Sequence, residues 1–168
     1  AVFPWDAEPV GSLPPGLWEK ASAEAERLLS GGVAATHLHT LQGEEVEMFY
    51  DLELPPPTLV IIGGVHIGIE LARQAKLLGY RVIVVDPRTA FADPTRFGAP
   101  DAKLIAEWPQ DALPKLGLDP YTAVLTLAHV AHIDDEALKL AVRADCLYVS
   151  ALGSSRNHAK RRERLLAA

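Results

Sequence analysis

Two kinds of hydrophobic pattern divide the chain. From Thr58 onward, short apolar runs without alternation recur at Thr58–Ile62, Arg81–Val85, Lys103–Ala106, Ala123–Leu127 and Cys146–Val149. A strand covered on both faces reads this way, whereas a strand with one wet face alternates. Between these runs the period changes to that of a helix. Ile67, Leu71, Ala75 and Leu78 share one face before Gly79. Pro109–Leu116 is a short helix. Asp134 is placed to cap a helix running through Leu138, Ala141 and Val142, and Asn157–Leu166 is a final basic helix. The segment 87–100 has no clear period and reads as a loop. Strand and helix alternate throughout, so the economical architecture is α/β, a parallel sheet with helices on both faces.

Upstream of Pro55 the pattern differs. Leu17–Leu29 is helical, with Trp18, Ala21, Ala25, Leu28 and Leu29 on one face and Gly31-Gly32 as a stop. Val33–Leu41 and Glu44–Leu54 read as two strands around Gln42-Gly43. Val46, Met48 and Tyr50 alternate there with Glu47, Phe49 and Asp51. A lone hairpin is marginal in water, so this one must pack on the main sheet, on the helix or on another protomer. Pro55-Pro56-Pro57 forms a stiff boundary. The expected organisation is a helix-and-hairpin appendage over residues 1–54 and a second domain over 55–168.

The stretch Thr58 to Gly68, TLVIIGGVHIG, is the centre of that second domain. A buried strand, a glycine turn and a helix start are followed by a second strand ending in Asp86. This is a βαβ unit of the dinucleotide-binding, Rossmann-like kind. Gly63 matches the glycine of the tight turn and Gly68 the glycine that lets helix and strand approach. The middle glycine, which gives a pyrophosphate access to the backbone, is replaced by Val65, whose side chain is expected where phosphates would lie.

Gly63, Gly64 and Gly68 are therefore candidate cofactor-binding positions, with His66 at the helix start as a candidate imidazole donor. Asp86 follows Gly63 by about twenty residues, the spacing of an acid that bonds a ribose hydroxyl. Its alternative role is a turn cap. Arg88 could pair with a phosphate or lie on the surface. His129 follows an apolar strand at the end where ligands gather. Gly153, Ser154 and Arg156 open the last helix, where free N–H groups attract anions. The basic run Lys160, Arg161, Arg162 and Arg164 reads as a solvated face.

Composition narrows the chemistry. The 168 residues carry a net charge of −6, which disfavours general nucleic-acid binding. Cys146 is the only cysteine, so no internal disulfide forms. It sits in an expected strand without an evident base. The pairs His37/His39 and His129/His132 lack a converging third ligand, so no metal site is assigned. No run is long enough to span a membrane and no signal peptide is evident, which makes the cytoplasm the expected compartment. No side chain is assigned a catalytic role.

Four ordered stretches, PPPTLVIIGGVHIG (55–68), VVDPRTAFADPTRF (84–97), AVLTLAHVAHIDDEAL (123–138) and YVSALGSSRNHAKRRERL (148–165), resemble the C-terminal half of the xanthine dehydrogenase accessory protein family of the XdhC/CoxI type. The resemblance covers roughly the last two thirds of the chain. Members of that family bind molybdenum cofactor and deliver it, sulfurated, to molybdenum hydroxylases. The resemblance thus implies molybdopterin or its dinucleotide form as ligand and a molybdenum hydroxylase client as partner.

The chain departs from the family pattern at Val65, at Ala128-His129-Val130 in place of Thr-His-Asp, and at Ser155 in place of an arginine. No counterpart of the family's upstream cysteine-bearing domain is present in the sequence, so a short or divergent member is expected. Two other readings stay open. One is an NAD(P)-dependent oxidoreductase. The other is a non-catalytic homo-oligomer, in the simplest case a dimer formed through the hairpin, with a decayed nucleotide site.

Overall fold

The structure, a computed structural model, describes residues 1–4, 7–97 and 102–167. It divides into two compact units, Ala1–Pro55 and Pro56–Ala168. In the first, α1 (Trp18–Gly31) ends at Gly32, whose left-handed backbone (φ 65°) returns its N–H to Leu28 and Leu29. β1 (Ala35–Leu41) and β2 (Glu44–Tyr50) pair antiparallel. They turn through Gln42 and Gly43, both at positive φ, which matches the twist of a tight hairpin. Both strands are shorter than their apolar pattern, because Val33 is exposed and the residues after Tyr50 extend toward the prolines without pairing. The hairpin packs on the helix: Ala21, Ala25 and Leu28 bury against Tyr50, with Met48 and Ala35 beside them.

The second unit is the expected α/β layer. Its five strands are β3 (Thr58–Ile62), β4 (Arg81–Val85), β5 (Lys103–Ile105), β6 (Thr122–Thr126) and β7 (Tyr148–Ala151). They lie in the order β5-β4-β3-β6-β7, and every pairing is parallel. Five helices connect and cover them: α2 (His66–Leu77), α3 (Pro94–Phe97), α4 (Pro109–Leu116), α5 (Ala131–Ala141) and α6 (Ser155–Leu166).

Each unbroken apolar strand feeds two cores, as period-two geometry requires. Val60, Ile62, Val85 and Val124 meet α4 and α5 on one face. Leu59, Ile61, Val84 and Ala123 meet Ile69, Ala72 and Ala75 of α2 on the other. Three boundaries depart from expectation. The segment 87–100 contains the short α3, held by the buried Phe97, although its residues 98–100 lie outside the described residues. β7 begins at Tyr148, so Cys146 precedes the strand and is half-buried. α5 starts at Ala131 with Val130 as an uncapped N-terminal residue, so Asp134 is not its cap. Among the described residues, no helix is long and apolar enough to cross a membrane.

Candidate functional site at the carboxyl edge of the sheet

Because the strands are parallel, the residues that follow them emerge at one edge. The glycine loop after β3, Asp86 after β4, His129 after β6 and the Leu152–Ser154 loop after β7 all lie there. Strand order reverses between β3 and β6, which creates the crevice where open α/β sheets bind ligands.

The turn and packing glycines serve as their positions demand. Gly63 adopts φ +107°, and a Cβ on it would stand 2.6 Å from the Ala128 nitrogen. A Cβ on Gly68 would stand 2.9 Å from the Gly63 carbonyl oxygen. Neither position tolerates a side chain. Val65 corrects the sequence reading. Its backbone is extended before α2, and its half-buried side chain packs against the core cluster that α2 shares with β3 and β4.

The loop is covered instead from the β4 side. A Cβ on Gly64 would lie 2.0 Å from the Phe91 carbonyl oxygen. Arg96 pins this cover, with Nη1 donating to the carbonyls of Gly64 at 2.8 Å and Ala90 at 3.3 Å. The Phe91 ring is flanked by two guanidinium groups, Arg88 at 4.0 Å and Arg96 at 5.1 Å from its centroid.

Asp86 is fully buried and fully used. Oδ1 accepts from the Arg88 backbone N–H at 3.0 Å and Nε at 2.9 Å. Oδ2 accepts from the Gly64 N–H at 2.9 Å and Arg88 Nη2 at 2.7 Å. Burial pushes this carboxyl up, but the Arg88 fork and the two backbone donors outweigh it and hold it below the ordinary aspartate value. A carboxylate offers about four lone-pair sites. None is left for a ribose hydroxyl while Arg88 stays in place, and Arg88 is committed to Asp86.

His66 is the exposed first residue of α2. His129 is exposed and left-handed, at φ 58°. The backbone around it is fixed from below by Asp134, whose Oδ1 accepts the Ala128 N–H at 3.2 Å. Asp134 is buried, and desolvation pushes its carboxyl above the ordinary value despite the bonds from the Ala128 and His129 backbone and the nearby Arg161. Arg88 also feels the Asp134 carboxyl, so the charges on the two sides of the switch point act on one another.

Arg161 overturns the reading of the last helix as a uniformly solvated basic face. It is buried. Nη2 reaches the Leu152 carbonyl at 3.2 Å and Asp134 Oδ2 at 3.5 Å, and Nε lies 3.9 Å from Asp135 Oδ1. Arg164, three residues on, takes Asp135 with two bonds, at 2.5 and 3.1 Å. The spacing of Arg161 and Arg164 alone does not show this, because Asp134 and Asp135 lie on another helix. Gly153, Ser154 and Arg156 are exposed, and Ser154 Oγ accepts the Asn157 N–H at 3.3 Å.

The remaining polar candidates have local roles. His37 Nδ1 lies 3.1 Å from Glu24, and His39 Nε2 lies 2.7 Å from the Tyr50 hydroxyl, both within the first unit. His132 stacks near Trp108. Burial, then Asp119 and Asp145, push the Cys146 thiol up, away from the reactive thiolate. No cluster of three or more metal-ligating side chains occurs among the described residues.

Comparison with known proteins adds three findings. The family model described as the XdhC Rossmann domain matches residues 59–168. A curated relative from Bacillus subtilis (strain 168), a probable xanthine dehydrogenase subunit, is 28% identical over 124 residues. The match takes in 74% of this chain but only 36% of the relative, so the chain spans about a third of that protein's length. The crystal structure of a xanthine dehydrogenase from Bacillus halodurans superposes with a TM-score of 0.59 at 28% identity, covering 73% of this chain and 36% of the other.

Proposed function

The chain belongs to the XdhC Rossmann-domain family, and from that premise we propose that it serves the maturation of a molybdenum hydroxylase of the xanthine dehydrogenase type. Its cargo is molybdopterin or the dinucleotide form of that cofactor, held at the carboxyl edge of the sheet. One observation carries this reading. Each stretch of family resemblance contributes a segment to that single edge: the glycine loop, the Asp86–Arg96 segment, the Ala128–His129 turn and the Gly153–Arg156 helix start.

An NAD(P)-dependent reaction fits the residues less well. Asp86, the acid such a ligand would use for its ribose, spends all four acceptor sites on Gly64 and Arg88. Molybdopterin itself carries no ribose and makes no such demand, because its phosphate can be held by helix-start N–H groups and arginine. Calorimetric titration of the full chain with molybdopterin, NADH and NADPH tests the assignment. Binding of molybdopterin alone is the expected result. Binding of a nicotinamide dinucleotide alone, or of none of the three, removes the cargo assignment.

A further inference from the structure

We propose that the Leu152–Ser154 loop, the first turn of α6 and the guanidinium of Arg161 form an oxyanion subsite for a phosphate or pyrophosphate group, in place of the glycine loop. This rests on the reading of the crevice as the seat of a phosphorylated cofactor, and it names where the phosphate sits.

The segment after β4 covers the glycine loop, the Phe91 carbonyl standing where a Gly64 Cβ would be, and this leaves less of the loop backbone for a pyrophosphate. At the other end of the crevice two positive features meet. α6 spans 12 residues and begins at an exposed loop, with Ser154 as its N-cap. Its first-turn N–H groups have no acceptor within the helix. Ser154 Oγ satisfies that of Asn157, and those of Ser155 and Arg156 stay directed outward at the positive end of the helix dipole.

Arg161 is the independent second feature. It is 6% exposed, and its Nε and Nη1 are buried without a hydrogen-bond partner among the described residues. Its charge is weakly answered. Its nearest carboxylate oxygen, on Asp134, is 3.5 Å away, and Asp135 is engaged by Arg164. Leaving buried donors of a charged group unmade is costly, and an anion would remove that cost.

The guanidinium also faces the loop. Nη2 holds the Leu152 carbonyl, and Nη1 lies 3.6 Å from where a Gly153 Cβ would be. Gly153 is exposed and lies against Nη1 with no side chain of its own, so a small displacement of Gly153 gives an anion both the α6 N–H groups and Arg161. Two carboxyls oppose the anion, Asp134 at 3.5 Å from Nη2 and Asp135, already paired with Arg164, at 3.9 Å from Nε.

Pyrophosphate titrated into the isotopically labelled full chain, with amide and arginine Nε–H resonances followed, tests the subsite. The expected shifts fall on Gly153, Ser155, Arg156 and Arg161. Arg161→Lys, which keeps the charge but loses the fork, weakens binding about tenfold. Gly153→Val gives a comparable loss. A Cβ at Gly153 meets nothing closer than 3.5 Å, and the melting temperature of the variant, measured alongside, separates an effect on the loop from a loss of fold. Shifts confined to Gly63–His66, no shifts up to about 10 mM, or wild-type affinity in Gly153→Val overturn the subsite. Molybdopterin separates the two claims. Pyrophosphate bound here with no molybdopterin binding refutes the cargo and leaves the subsite. Molybdopterin bound without perturbing Gly153 or Arg161 does the reverse.

Discussion

Asp86→Asn is the sharpest probe of how the crevice is held. The asparagine keeps the shape but retains one oxygen for four donors. If that oxygen serves the Arg88 backbone and Nε, the new amide group faces Gly64 N–H and Arg88 Nη2, donor against donor. Arg88 can turn to water, since its side chain is 32% exposed, but the Gly64 N–H cannot. The loss is therefore smaller than the ~3–5 kcal/mol for breaking a fully buried ion pair. It is close to the ~2–3 kcal/mol of one buried bond to a charged acceptor plus a partly screened pair.

Native-state hydrogen exchange at the amides of Ile61, Ile62, Val84 and Val85 reads this for the second unit alone. The expected acceleration at pH 7 is about 30- to 150-fold, at 1.4 kcal/mol per factor of ten. The pH dependence is a second check. The folded-state carboxyl is held below its unfolded value of about 3.9, so its stabilisation is complete above that pH. That stabilisation disappears as pH falls through the depressed folded value. The gap between wild type and Asp86→Asn should therefore shrink in acid. Exchange within about threefold of wild type at pH 7, or a gap independent of pH, would refute the reasoning.

Three further outcomes are expected. Gly64→Ala forces its methyl against the Phe91 carbonyl, where the space is 2.0 Å, and expels the covering segment. Limited proteolysis should then cut between Arg88 and Arg96, where the wild type is expected to resist cleavage. Val65→Gly leaves that cover in place and removes core packing, costing about 1–2 kcal/mol with no gain in ligand affinity by calorimetry. Tyr50→Phe deletes the 2.7 Å bond to His39 and should lower the stability of the first unit by about 1 kcal/mol in denaturant titrations followed by exchange at β1 and β2.

The layer architecture was legible because its signal is redundant. Unbroken apolar runs such as Leu59–Ile62 require cover on both faces, and a helix after Gly64 supplies it on one. Its inward face differs from the one read from Ile67, Leu71, Ala75 and Leu78: Ile67 and Leu78 are exposed, and Ile69 and Ala72 join Ala75 in the core. Gly63 and Gly68 were equally readable, since each answers to a local backbone demand. The errors lie where a side chain's direction depends on a partner far along the chain. Val65 was assigned to the crevice from its motif position, but the extended backbone before α2 turns it into the core. The crevice cover comes from Phe91, 27 residues beyond Gly64, in a segment with no period to read. Arg161 looked like one of several surface basics until α5 brought Asp134 and Asp135 beneath it. Asp134 looked like a cap for the same reason, because local spacing cannot show that the Ala128 N–H folds back onto it.

These long-range contacts form one electrostatic arrangement across the switch point. On the β3–β4 side Asp86 and Arg88 neutralise each other with matched geometry, and a third-exposed guanidinium lies over a saturated carboxylate. On the β6–β7 side the match is poor: Asp134 is driven toward its protonated form, and Arg161 keeps two donors unused. An anionic group entering the crevice gains nothing at the first pair, where it would have to break four good bonds. At the second it completes an unfinished one. Bound there, it would also favour the protonated form of Asp134, since two negative charges would share one guanidinium. Anion binding should therefore be coupled to proton uptake as pH falls toward the raised Asp134 value, and calorimetry in buffers of different ionisation enthalpy would detect it. Equal apparent enthalpies in those buffers would place the anion away from Asp134.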